Sequence, residues 1–152
     1  MNALLDSSTL IAAMLADHVH HAPAHAWLDQ AKQGTFVLVV SGHSLAEVYP
    51  VLTRLPRTPP ITPADAWRML RENVTSIAKI VTLSGDDYIA LIEDLSQRAI
   101  TGGQVYDAII AKAAEVAEVD KLVTLNDAHF RNVWPAGIGK IVSPLTTPPP
   151  TP

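Results

Sequence analysis

The sequence predicts an α/β domain built on a largely parallel sheet of about five strands. Three observations carry that expectation. Short β-rich runs alternate with longer stretches of helical periodicity along the chain. The run Phe36–Val40 (FVLVV) is uniformly apolar, as a strand covered on both faces requires. A length of 152 residues, with 48% hydrophobic and 17% charged, supplies the interior of one domain and no second core, and excludes disorder of the whole chain.

Each element has its own signal. Asn2–Leu5 (NALL) reads as the first strand, ending at Asp6. Ser7 is expected to cap a helix running to about Ala16, and Pro23–Lys32 reads as a second helix with Ala26, Trp27 and Ala31 on one face. After the strand at Phe36–Val40, the stretch from Gly42 to Leu55 spaces Leu45, Val48, Leu52 and Leu55 three and four residues apart, a buried helical stripe. The prolines of Pro56–Pro63 (PRTPPITP) remove donors and restrict their predecessors, so this segment is a linking loop. Thr62 then opens a helix with Pro63 at its first position and Trp67, Met69 and Leu70 along it. A third strand is expected over about Ala78–Leu83, and Ser84 with Asp86 and Asp87 starts a capped helix running to about Ala99. Gly102 and Gly103 break the chain before an Ala-rich helix over Gln104–Val119. Lys121–Thr124 and the pair Ile141 and Val142 complete the sheet. The tail Thr146–Pro152 (TTPPPTP) offers no apolar side chain to bury and is expected to be extended polyproline structure. The domain is therefore placed at residues 1–143, with a Pro-rich tail over 144–152.

Composition removes several classes of function. A formal charge of −4 and a pI of about 5.8 do not describe a chain that binds nucleic acid by overall charge. Four of the eleven basic residues, Arg54, Arg57, Arg68 and Arg71, fall in one stretch, where a solvated helix surface accounts for them. Asp6, Asp17, Glu47, Asp94 and Glu115 interrupt every apolar run long enough to approach a membrane span. No Lys or Arg precedes Lys32, so a basic leader is absent, and a soluble cytoplasmic protein is the expectation. The lack of cysteine excludes disulfides, zinc-thiolate sites and thiol nucleophiles.

In an open parallel sheet, ligands bind in the crevice at the carboxyl ends of the strands, and acids dominate that edge here. Asp6 directly follows the first strand; Asn126 and Asp127 follow the fourth. Glu47 sits one turn into the helix after the second strand, among Leu45, Ala46 and Val48, and Asp107 lies in the first turn of the Ala-rich helix, among Val105, Ile109 and Ile110. An acid in apolar surroundings is costly without a partner, yet no Lys or Arg occurs in the first 31 residues or within four positions of Asp107. Attraction to a helix N-terminus explains any one of these acids. Four of them from four separate elements are explained better by a shared cleft, in which at least one carboxyl should titrate upward. Clustered carboxylates without cysteine suit hard cations such as Mg2+ or Mn2+, and the chemistry that follows is metal-assisted phosphodiester hydrolysis.

The other distinctive side chains have plainer expectations. His18, His20, His21 and His25 form a dense set in which the spacing of His21 and His25 suits zinc, but no further ligand completes it, so a solvated loop and helix start is expected. His43 shares a helix face with Glu47 and can orient it; His129 can pack beside Phe130. Trp27, Trp67 and Trp134 are expected in the core.

The blocks LLDSSTLIA, SLAEVYPVL, VYDAIIAKAA and TLNDAHF, in this order with α/β material between them, resemble the PIN-domain family, and within it the VapC-type toxins of bacterial toxin–antitoxin pairs. The resemblance covers about residues 1–143. It implies a five-stranded parallel sheet in a three-layer α/β/α sandwich and a metal-dependent endoribonuclease using Mg2+ or Mn2+. It also implies a homodimer and a cognate VapB-type antitoxin. Carried over by position, Asp6, Glu47 and Asp107 match the family's first three acids. For the fourth, Asp127 is the nearest carboxylate, while Asn126 and His129 stand where the family commonly carries an acid or Asn and an acid. Ser8 replaces an Asn often found there, leaving Ser7 or Ser8 as hydroxyl contacts, and Thr124 is placed to orient the fourth acid. An antitoxin segment or a second copy is expected to cover the first helices or the Leu52–Trp67 region.

Rival classes lack their own residues. A haloacid-dehalogenase-type phosphatase needs a second Asp at the position of Ser8, and a response-regulator-like phosphoacceptor needs an Asp at the end of the third strand, where Thr82 and Leu83 stand. A non-catalytic RNA- or protein-binding module differs from the enzyme by its failure to cleave.

Overall fold

The computed structural model describes residues 1–151. Its strands are β1 (Asn2–Leu5), β2 (Val37–Ser41), β3 (Lys79–Val81), β4 (Lys121–Val123) and β5 (Ile141–Val142), and all neighbours pair in parallel in the order β3-β2-β1-β4-β5. The helices are α1 (Ser7–Met14), α2 (His21–Lys32), α3 (Gly42–Arg54), α4 (Pro63–Leu70), α5 (Gly85–Gln97), α6 (Gln104–Val116) and α7 (Asp127–Val133). The alternation of side chains along each strand sorts the interior into two cores. Ala3, Leu5, Leu38, Val40 and Val123 face α1–α4, whereas Leu4, Val39, Val81, Leu122 and Ile141 face α5–α7. The result is a three-layer α/β/α sandwich. No helix among the described residues is long and apolar enough to cross a membrane.

Several local expectations are corrected. Asp6, not Ser7, caps α1: its carboxylate accepts the Thr9 N–H at 2.8 Å. The helix stops at Met14, short of Ala16, because Leu15 is extended. The last-turn carbonyls of Ala12 and Ala13, left without helical partners, meet Nδ1 of His21 at 3.0 Å and of His25 at 3.1 Å. His18 and His20 lie in the loop and His21 starts α2, as expected; beyond that expectation, the His21 and His25 imidazoles stack at 4.8 Å and tie α2 to α1. Phe36 precedes β2 and packs edge-on against the fully buried Trp27, with ring centroids 5.6 Å apart. Trp134 is also buried, against Gly137, where a Cβ would fall 2.1 Å from the indole. Trp67 is 52% exposed, because the face of α4 that meets the core presents Ala66 and Leu70. In α3 the buried residues are Ser44, Val48 and Leu52, with Leu45 and Leu55 only half-buried.

The tail is partly anchored. Thr146 and Thr147 turn back to the Ser143 carbonyl, and the Thr147 carbonyl accepts the Trp27 indole N–H at 3.1 Å. A buried indole needs that acceptor, which is why this stretch is not free polyproline. Pro152 lies outside the described residues.

Candidate active site

The strand order reverses direction at β1, which lies between β2 and β4, so the carboxyl ends of β1 and β4 flank the crevice such a sheet provides. Asp6 occupies the end of β1 and is 3% exposed. Its carboxylate collects every donor within reach. Ser8 Oγ lies 2.8 Å from both oxygens, the Thr9 N–H donates to Oδ1, and the Thr124 hydroxyl donates to Oδ2 at 2.7 Å. Ser8 and Thr124 are themselves pinned across the strands, since Ser8 Oγ accepts the Leu125 N–H and Thr124 Oγ1 accepts the Asn126 N–H. Burial pushes the Asp6 carboxyl above the usual carboxylate range, against the opposing pull of the Thr124, Thr9 and Ser8 hydrogen bonds. Thr124 thus orients the first acid, not the fourth.

Glu47 enters from α3. Ser7 Oγ donates to Oε2 at 2.5 Å, and His43 Nε2 lies 3.3 Å from Oε1, one helical turn away on the same face. His43 in turn stacks on Tyr106 of α6, with centroids 5.2 Å apart and planes within 12°. The residue after Tyr106 is Asp107, 22% exposed, whose Oδ2 lies 3.4 Å from His129 Nδ1. Its carboxyl is pushed up first by burial, and then by the negative charges of Asp6 and Glu47; His129 acts in the opposite direction. Three acids from three elements are therefore close enough for two of them to repel the third.

Asp127 has a different setting. It opens α7, is 49% exposed and lies 3.4 Å from the Arg131 guanidinium Nε. Asn126 is exposed at the same end of β4. The structure thus brings Asp6, Glu47 and Asp107 together with Ser7, Ser8, Thr124 and His43. The Asn126 backbone adjoins this group through Thr124, whereas Asp127 pairs with Arg131 of its own helix.

Among the described residues, no three His, Cys, Asp or Glu side chains lie close enough to enclose one ion. The donor chemistry still fits a hard cation. Mg2+ takes oxygen ligands, keeps several waters and binds through one or two carboxylates, and the mutual repulsion around Asp107 is what a positive ion would relieve. The role of Tyr106 and the partner of His129, which stands at a position where the family commonly carries an acid, escaped the sequence reading. Tyr106 adjoins Asp107 in sequence, and that adjacency was the available signal. The contact of His129 with Asp107 joins α7 to α6 and has no local signature.

The PIN domain family model matches residues 3–134. Ribonuclease VapC27 of Mycobacterium tuberculosis is 40% identical over 130 residues, which is 86% of this chain and 88% of that protein. Ribonuclease VapC40 of the same species is 31% identical over 119 residues, 78% of this chain and 82% of that one. The solved structure of VapBC2 from Rickettsia felis, bound to a DNA fragment from its promoter, matches with a TM-score of 0.66 at 19% identity, covering 94% of this chain and 98% of the other. That of Mycobacterium tuberculosis VapC20, described as a sarcin-ricin loop cleaving toxin, matches with a TM-score of 0.61 at 15% identity, covering 79% and 86%. These structural likenesses share the fold. Because the family model spans most of the chain and a 40% identical ribonuclease aligns along nearly its whole length, the chain belongs to the PIN-domain family, among its VapC-type ribonucleases.

Proposed function

We propose that the chain is the toxin of a type II toxin–antitoxin pair, a Mg2+- or Mn2+-dependent endoribonuclease that hydrolyses RNA phosphodiester bonds in the cytoplasm. The observation that carries this reading is the meeting of Asp6, Glu47 and Asp107 at the carboxyl edge of the sheet, in a chain 40% identical to a named ribonuclease. One or two of Asp6, Glu47 and Asp107 would hold the cation directly and the remaining acid would reach it through its waters, with Asp127 or Asn126 as the fourth site residue. When bound, the cation supplies positive charge that polarises the phosphoryl group and eases ionisation of the attacking water.

The chain's own residues set up that chemistry. Donors from Ser8, Thr9 and Thr124 fix the rotamer of Asp6, so its oxygens point one way before anything binds. Ser7 donates to Glu47, and the His43 ring stands 3.3 Å from its other oxygen. Burial and the charges of Asp6 and Glu47 destabilise the Asp107 carboxylate, so it is an acid whose ionised form a nearby positive charge would favour. Asp127 and Asn126 orient water and substrate at the outer edge.

The partners are a VapB-type antitoxin, RNA and a second copy of the chain. The likeness to the VapBC2 structure supports the first of these. Two exposed apolar faces are available for covering: Tyr49, Val51 and Trp67 on α3 and α4, and Tyr88, Ile89 and Ile92 on α5. Of these residues only Trp67 falls in the Leu52–Trp67 region named above; Tyr49 and Val51 precede it, and α5 was not expected.

RNA ends sequenced after brief expression of wild-type protein beside Asp6→Asn test the reading. New ends in the wild type alone are expected. Identical RNA in both would leave a non-catalytic RNA- or protein-binding module as the better description.

A further inference from the structure

We infer that Tyr106, backed by His43, is a base-stacking platform that seats one nucleobase of the RNA beside the reacting phosphate. The inference rests on the ribonuclease reading and names a subsite within it. The position of the ring is the first observation. Tyr106 immediately precedes Asp107 on α6, and His43 stands one turn before Glu47 on α3, so the stacked pair spans the two helices that deliver two of the three acids. Its state is the second. One face of the Tyr106 ring is covered by the imidazole at 5.2 Å, nearly parallel, while the residue remains 51% exposed. A ring already supported on one face loses little freedom when a second flat ring is laid on the other.

Charge explains why such a platform is needed. The chain carries −4, and the acids at the site repel phosphates instead of attracting them. Apart from any bound cation and the Arg131 guanidinium at this edge, affinity for RNA here gains from a neutral contact. Base stacking on an aromatic side chain is such a contact, and it tolerates any base because each has a π-face. A protein segment from a partner could also cover the ring. The adjacency to Asp107 and the flat open face favour a base, since a base placed there brings its own phosphate to the acids.

The experiment uses the full chain with Mg2+ and a short single-stranded RNA that the wild type cleaves. KM and kcat are measured for wild type, Tyr106→Ala, Tyr106→Phe and Tyr106→Trp. Binding of the same RNA carrying 2-aminopurine is followed by fluorescence in an Asp6→Asn background. Tyr106→Ala should raise KM and Kd by about tenfold, as expected for losing one stacked base, and weaken the quenching of 2-aminopurine. Tyr106→Phe and Tyr106→Trp should keep both within about twofold of wild type, since the ring face is what matters. Normal KM and Kd in Tyr106→Ala, with an active wild type, would overturn the platform and leave the ribonuclease reading intact. So would a Tyr106→Phe as impaired as Tyr106→Ala, which would assign the effect to the hydroxyl, or a Tyr106→Ala that loses antitoxin binding alone. A wild type that neither binds nor cleaves RNA would remove the ribonuclease reading itself.

Discussion

Asp6 and Asp127 occupy equivalent addresses. Each follows a strand at the carboxyl edge, each stands at the start of a helix, and their strands β1 and β4 are hydrogen-bonded neighbours. Their surroundings differ completely. Asp6 is buried, immobilised by hydroxyl and backbone donors and raised in pKa; Asp127 is half-exposed and leans on an arginine of its own helix. The contrast teaches that topology assigns the acids to the crevice, while side chains from the neighbouring strand decide which of them is fixed in direction. Thr124 is that side chain for Asp6. Asp127 has solvent and a flexible guanidinium.

If the contrast is functional, substitution should grade across the site. Asp6→Asn and Asp107→Asn should each lower the RNA cleavage rate by more than about 100-fold, beyond what loss of a supporting group usually costs, whereas Asp127→Asn should cost about tenfold. Single-turnover assays at saturating Mg2+ make the comparison, and equal losses at Asp6 and Asp127 would break it. The same grading should appear in stability. Thr124→Val keeps the shape but removes the donor to Asp6 and the acceptor for the Asn126 N–H, so urea denaturation should show a loss of about 1–3 kcal/mol. Arg131→Ala, which removes the partner of Asp127, should cost at most about 1 kcal/mol.

The smallest expected effect sharpens the comparison through pH. Asp107 titrates at its ordinary value of 3.8 when unfolded and higher when folded. Between those values the folded protein holds more protons, so this group destabilises the fold as pH rises through the window, and the deficit persists at neutral pH. In chelator at pH 7, Asp107→Asn should melt at or above wild type, and any difference should vanish below the unfolded value of 3.8. If Asp107→Asn melts below wild type at pH 7, the charge serves the first turn of α6 through the helix dipole and the residue is not a strained ligand.

Much of this site was legible because its acids obey positional rules. Asp6 and Asp127 follow strands, Asp107 opens a helix, and the four-residue spacing of His43 and Glu47 places both on one face. What was not legible is the pairing between elements. Ser7 with Glu47, Thr124 with Asp6 and His129 with Asp107 depend on how α1, β4 and α7 dock, and no local period encodes that. Capping was misassigned by one residue because Ser7 and Asp6 are both good caps, and the burial of Asp6 decides between them. Trp67 was expected in the core because it is large and apolar, but the helix face that turns inward is set by Ala66 and Leu70. The tail was misread for the opposite reason, since its composition offers nothing to bury and its contribution is a carbonyl.

That carbonyl has a kinetic consequence. The bond from Trp27 to Thr147 joins positions 120 residues apart. A contact of such separation carries a high loop-closure cost and is favourable only once the intervening chain is already ordered. The layer containing α1, α2 and β2 must therefore collapse around Trp27 with its indole N–H still open to water. The tail closes over it among the last steps of folding and leaves among the first steps of unfolding, like a latch fitted to a finished door.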